Sequence, residues 1–158
     1  MLDASTTSRR ALELRDALQR VIRASGALDP DRTACGVELP PSHAHALMVL
    51  AQSSERALSQ RDVARALGLD KSSVARLCQK MTEAGHLEQS RDPDDARFVR
   101  LVLTAKGRRA ASTVERASLD RHDRLLAAIP RAERARVVSA LETLADAMSG
   151  LAPGAGDE

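Results

Sequence analysis

The sequence predicts a mainly α-helical chain of class α+β, with one small β hairpin and helical segments on either side of it. Three observations predict this. Two short capped helical patterns meet at a glycine turn between Leu58 and Gly85. Two extended runs, Leu87 to Arg91 and Arg97 to Leu103, flank the turn Asp92-Pro93-Asp94-Asp95-Ala96. Apolar stripes of helical period run through both ends of the chain.

Taken in order, Met1 to Thr7 is polar and is expected to be disordered. It has no apolar segment, so no secretory signal is expected. From Ser8 to about Ser25 the residues Ala11, Leu14, Leu18, Val21 and Ile22 keep helical spacing, and Gly26 is a stop. Leu28 to Leu39 carries turn chemistry in Asp29-Pro30-Asp31 and Cys35-Gly36. Pro40-Pro41 opens a second helix to about Gln52, where proline is tolerated in a first turn. Ala46, Leu47, Val49, Leu50 and Ala51 make it nearly apolar, so it is expected to be central.

Ser59 then reads as an N-cap, with Asp62 three residues on completing a capping-box pattern for a helix over Gln60 to Leu67. Gly68 supplies the turn and Asp70 caps the next helix, Lys71 to Ala84. Val74, Leu77, Cys78 and Met81 fall at i, i+3, i+4 and i+7, an apolar seam. Two capped helices around a glycine turn make a helix-turn-helix pattern, and the hairpin that follows supplies a wing. Thr104 caps a long helix from Ala105 whose stripe runs through Ala111, Val114, Ser118 and His122 until Pro130 breaks it. A last helix is predicted from about Arg131 to Ser149, and 151–158 is expected to be disordered.

The organisation expected is one domain over 1–158. A winged helix-turn-helix region at 39–104 sits between helical dimerisation segments at 8–30 and 105–150.

Charge is unevenly placed along the chain. Residues 56–109 hold 12 Lys/Arg against 7 Asp/Glu, while the rest of the chain holds 12 against 15. A basic middle in an acidic frame points to an anionic partner, although a solvated charged surface has the same composition. Phe98 is the only aromatic residue. Binders of single strands stack bases on aromatic platforms, so duplex DNA read through phosphates and groove edges fits better.

Other classes are disfavoured. No apolar run approaches the ~20 residues of a membrane span, so no membrane partner is expected. Two cysteines, Cys35 and Cys78, are too few for a disulfide scaffold, and a cytoplasmic location with reduced thiols is expected. No nucleophile elbow, P-loop, zinc-protease or dinucleotide motif is present, so neither an enzyme nor a resident cofactor is expected. A helical dimer whose winged region binds protein is the remaining alternative, and the basic residues of the second capped helix argue against it.

The stretch from Leu58 to Arg109 resembles the core of the MarR family of bacterial transcriptional regulators. The most specific part is Asp95-Ala96-Arg97 followed by Leu101-Val102-Leu103-Thr104 and Gly107, and the segment from Leu69 to Leu77 is similar to the start of that family's recognition helix. The motif match runs from about Leu39 to Arg109, with the flanking helices alike in pattern only. The resemblance implies a triangular homodimer on a pseudo-palindromic operator. It also implies release by a small molecule, in many members a phenol or aromatic acid.

On this reading the recognition helix presents Lys71, Ser72, Ser73, Arg76, Gln79 and Lys80 to the major groove. Ser72 and Ser73 are short donors and acceptors, while Lys71 and Arg76 can reach guanine edges or phosphates. The acidic wing tip should be repelled by phosphate. Asp95 resolves this if it orients Arg97, by a charge-assisted hydrogen bond, into a narrow minor groove. A salt bridge within the hairpin, away from DNA, is the plain alternative. Gln60, Arg61, Arg100 and Lys106 are candidates for phosphate contacts.

Two switching readings stay open. Arg23, His43 and His45 could meet an anionic aromatic ligand between the first two helices. Cys35, alone or with nearby histidines, could answer oxidants or a metal, though its spacing to His43 and His45 matches no zinc pattern. An ordinary loop cysteine and a packed helix histidine are the plain alternatives. No metal ligand set is assigned.

Overall fold

Capping chemistry sets most of the element boundaries. The computed structural model describes residues 4–53, 57–91 and 99–151, with side chains from Ser8 onward. Six α-helices are described: α1 (Ala4–Ser25), α2 (Pro41–Gln52), α3 (Gln60–Leu67), α4 (Lys71–Glu83), α5 (Ala105–Ala128) and α6 (Arg134–Leu151). Strands β1 (Leu87–Arg91) and β2 (Val99–Leu103) lie between α4 and α5. They pair antiparallel, Leu87 opposite Leu103 and Arg91 opposite Val99.

The mainly α fold class holds, as does the helix-turn-helix followed by a hairpin. Three boundaries differ from the sequence expectation. α1 begins at Ala4 rather than Ser8, so part of the stretch expected to be disordered is helical. No Pro or Gly interrupts Ala4 to Thr7, and polar residues are tolerated in a first turn. After Pro130 the chain makes a short 3-10 turn, Arg131–Glu133, before α6 starts at Arg134. Leu151, expected to be disordered, ends α6. Leu58 also forms a single β-bridge to Leu101, whose N–H donates to the Leu58 carbonyl at 2.8 Å. The segment entering α3 is thereby tied to the wing.

The core forms where α2, α3, α4 and the hairpin converge on the first turns of α5. Leu47, Val63, Val74, Cys78, Met81 and Leu87 are each less than 2% exposed. α2 contributes most of its length, which is why its sequence is nearly apolar. At about 25 cal/mol per Å² of apolar surface, residues buried this completely supply about 1.5–3 kcal/mol each against the entropy of ordering them.

The outer helices behave differently. Only Gly107, Ala111 and Val114 of α5 are buried, all in its first half. α6 has no buried residue. Leu14, Val21 and Ile22 on α1, Leu119 and Leu125 on α5, and Leu141 and Met148 on α6 are about half exposed. α1 is held at its C-terminal end by Arg121 of α5, whose guanidinium donates to the Ser25 carbonyl at 2.9 Å. Among the described residues, no helix is long and apolar enough to cross a membrane.

Candidate nucleic-acid interface

The interface is built by two caps and a seam. Ser59 Oγ accepts from the Asp62 N–H, and the Asp62 carboxylate accepts from the Ser59 N–H at 2.9 Å, so the capping box closes in both directions. At the far end Gly68 is left-handed, φ 64°, and Leu69 N–H donates back to the Ala64 carbonyl at 2.9 Å. α4 can then start at once, with Asp70 as its N-cap.

The Asp70 carboxylate accepts from the N–H groups of Ser72 and Ser73 at 2.8 and 2.9 Å. It also accepts from both hydroxyls, each at 2.6 Å. These bonds, led by those from the two hydroxyls, hold the Asp70 carboxyl well below the usual carboxylate range. They also revise the sequence expectation for Ser72 and Ser73. Each hydroxyl has one proton, and that proton is committed to Asp70, so toward DNA both serines offer lone pairs only.

The seam orients the helix. Val74, Leu77, Cys78 and Met81 are buried, as their spacing predicts. Lys71, Ser72, Arg76, Gln79 and Lys80 are exposed on the other side, and Ser73 is half-buried. The Arg76 guanidinium lies 3.4 Å from Ser73 Oγ. The Gln79 amide donates to Glu83 at 2.9 Å. Gln60, in the first turn of α3, donates to Gln89 on β1 at 3.1 Å, and Gln89 donates to Thr82 of α4 at 3.3 Å. Gln60 thus joins three elements at the interface edge. Arg61 is exposed. Arg100 is half-buried on β2 opposite Ser90. Lys106 Nζ donates to the Ala84 carbonyl at 2.7 Å, so this expected phosphate contact also caps the C-terminus of α4. Asp95 and Arg97 lie outside the described residues.

The candidate switch residues are not all brought together. His43 is buried and His45 exposed, because positions two apart on a helix face different ways. Arg23 is exposed in the last turn of α1. Cys35 is half-buried, its Sγ 3.1 Å from Thr33 Oγ1. Among the described residues no three His, Cys, Asp or Glu side chains gather as a metal site. Burial pushes the Cys78 thiol up, as expected of a seam residue.

Sequence reasoning missed His86. It follows Gly85 (φ 72°) and closes the C-terminus of α4, its N–H donating to the Met81 carbonyl at 2.9 Å. Its carbonyl accepts from Thr104 N–H at 3.1 Å, and its Nδ1 lies 3.0 Å from His43 Nε2. The histidines are 43 positions apart, and no local pattern couples them. A cleft of about 450 Å³, lined by Leu50, Leu58, Leu101, Arg108 and Glu115 among others, opens between α2, β2 and α5.

This arrangement defines a winged helix-turn-helix protein of the transcription-regulator class. Residues 38–97 match the model of the MarR family. The fold is similar to that of the PcaV transcriptional regulator from Streptomyces coelicolor, with TM-score 0.67, 26% identity and 85% of this chain covering 96% of that one. It is similar in fold to Streptococcus pneumoniae FabT, solved in complex with DNA, with TM-score 0.70, 19% identity and coverage of 92% and 99%. Bordetella bronchiseptica BpsR, whose DNA binding is regulated by 6-hydroxynicotinic acid, gives TM-score 0.64 at 24% identity, with coverage of 86% and 92%. No curated protein matches the chain in sequence.

Proposed function

We propose that the chain is a homodimeric, ligand-responsive repressor that binds a pseudo-palindromic operator in duplex DNA. One observation carries the DNA contact. α4 buries one face completely and exposes Lys71, Ser72, Arg76, Gln79 and Lys80 on the other, on a helix fixed at its N-terminus by Asp70. Lys71 and Arg76 reach guanine edges or phosphates, while the acceptor-only serines suit exposed amino groups of cytosine or adenine. Arg97, oriented by Asp95, enters the minor groove, and Arg61, Arg100 and Lys106 meet phosphates.

The half-exposed apolar stripes of α1, α5 and α6 support the dimer, since a second copy offers matching stripes. Two-fold pairing places two recognition helices about 34–36 Å apart, one turn of DNA. A small aromatic acid as effector is supported by the likeness to BpsR.

Duplexes selected by the protein from a random pool test the DNA reading. Affinity should fall steeply with salt. Arg76→Ala and Arg97→Ala should weaken binding while the dimer mass is kept, and wild-type affinity in both would refute the assignment. Calorimetry with aromatic acids, with divalent metals, and operator release by peroxide separate the effector from the metal and Cys35 readings.

A further inference from the structure

Among the described residues, the His43–His86 contact is a buried polar side-chain contact that the DNA reading does not use. It lies 43 residues apart in sequence, between the first turn of α2 and the residue that closes α4. His86 is tied on every side. Its N–H holds the Met81 carbonyl, its carbonyl holds Thr104 N–H, and its ring meets His43 edge-on with centroids 5.1 Å apart. The backbone of Gly107 packs so closely on the His86 carbonyl that no side chain fits there. Thr104 Oγ1 donates to the Gly85 carbonyl and Lys106 Nζ to the Ala84 carbonyl, both at 2.7 Å. The end of α4 is therefore gripped at its backbone carbonyls by Thr104 and Lys106 at the start of α5, and by α2 through one imidazole pair.

We propose that His86, held by His43, is a positioning residue for DNA reading: the pair fixes the tilt of α4 against α2, and does so only while the two rings share a single proton. This rests on the DNA-binding reading of α4. A hydrogen bond between Nε2 and Nδ1 needs one nitrogen protonated and the other bare. One added proton places a charge in a buried site beside Lys106. A second leaves two N–H groups facing each other and no lone pair between the rings. Burial lowers the pKa of both histidines, helped by His86 at His43 and by Lys106 at His86, so the neutral pair is favoured near pH 7. The titratable groups that act on the pair are the two rings and Lys106 of α5. His45 on α2, Glu83 on α4 and Glu88 on β1 are exposed, and Arg100 on β2 is half-buried.

The test uses two variants of the full chain. H86L removes the bond. H43Q/H86N keeps it without titration, because a Gln amide reaches the place of Nε2 and an Asn amide the place of Nδ1. Affinity for a duplex selected by the wild-type chain is measured at pH 7.5 and 5.0. H86L should bind about fivefold more weakly at pH 7.5, the loss expected for one hydrogen bond, with unchanged helix content and dimer mass. H43Q/H86N should bind within about twofold of wild type at pH 7.5. Between pH 7.5 and 5.0, wild type should lose more affinity than H43Q/H86N, up to the fivefold that H86L loses. The two proteins are identical at every other position. Equal losses with pH, wild-type affinity in H86L, or a double variant as weak as H86L would each overturn the proposal. Amide exchange at Ala84 to His86 in the free protein reads the same latch without DNA. It should rise in H86L and not in H43Q/H86N, and equal rates in all three proteins would overturn the latch. A wild-type chain that selects no duplex overturns the DNA reading instead, and the exchange rates still decide the latch.

Discussion

Replacing Gly107 with Ala pits two opposed physical effects against each other. Gly107 lies in the first turn of α5, and glycine in a helix costs about 1 kcal/mol relative to alanine. Helix propensity alone therefore predicts a more stable protein. The structure predicts the reverse. A Cβ at Gly107 would lie 2.9 Å from the His86 carbonyl carbon and 3.2 Å from its Cα, and closer still to the carbonyl oxygen. The obstacle is backbone, already fixed by hydrogen bonds to Met81 and Thr104, so it cannot rotate away. Separating α5 from the turn costs about 1–3 kcal/mol in overpacking strain. It also weakens one or two of the bonds from Thr104 and Lys106, at about 1 kcal/mol each. After the propensity gain the net loss is about 1–4 kcal/mol, a fall in Tm of about 2–16 °C for a chain of this size. Phe98 is the only aromatic residue, so unfolding is best followed by far-UV circular dichroism at fixed protein concentration. Gly150→Ala is the control. It sits in the last turn of α6 with nothing within 4 Å of an added Cβ, and should leave Tm unchanged or slightly higher. A Gly107→Ala protein with wild-type or higher Tm would refute the close-approach argument.

Four further outcomes are expected. Arg76→Ala should reduce the slope of log affinity against log salt by about 1 if the guanidinium meets a phosphate, with an unchanged slope marking a base contact instead. Ser59→Ala removes one side of the capping box and should cost about 1 kcal/mol, read as a Tm lower by about 2–4 °C. Both buried histidines have pKa values lowered from 6.5, so below that pH the unfolded chain takes up protons that the folded chain resists. The pair's contribution is thus intact above about pH 6.5 and lost as pH falls toward the folded pKa values, and urea midpoints at pH 7.5 and 5.0 should show a fall that H43Q/H86N lessens. Arg121→Ala should speed amide exchange in the last turn of α1, while leaving the core of α4 protected.

What the sequence made legible was local. Ser59 with Asp62, Asp70 before Ser72, and Thr104 before Gly107 are contacts between residues two or three apart, so residue type and spacing specify them. The seam from Val74 to Met81 is equally local, because helical period alone brings its members together. The missed features join distant segments. His43 meets His86, Leu58 meets Leu101, and Gly107 meets the His86 carbonyl, and nothing in the flanking residues signals any of these. The commitment of the Ser72 and Ser73 protons to Asp70 was not legible for a different reason. Residue type gives the number of protons, and only geometry says where they go.

The grip of Arg121 on the end of α1 has a mechanical consequence. With 22 residues at 1.5 Å each, α1 is a rod about 33 Å long, and this fastening lies at one tip. A swing of about 10° around the Ser25 carbonyl would carry the far tip about 6 Å, roughly one helical turn. The gearing runs both ways. A small rotation at the guanidinium is enlarged along the rod, and a load on α1 bears back on a single charged group.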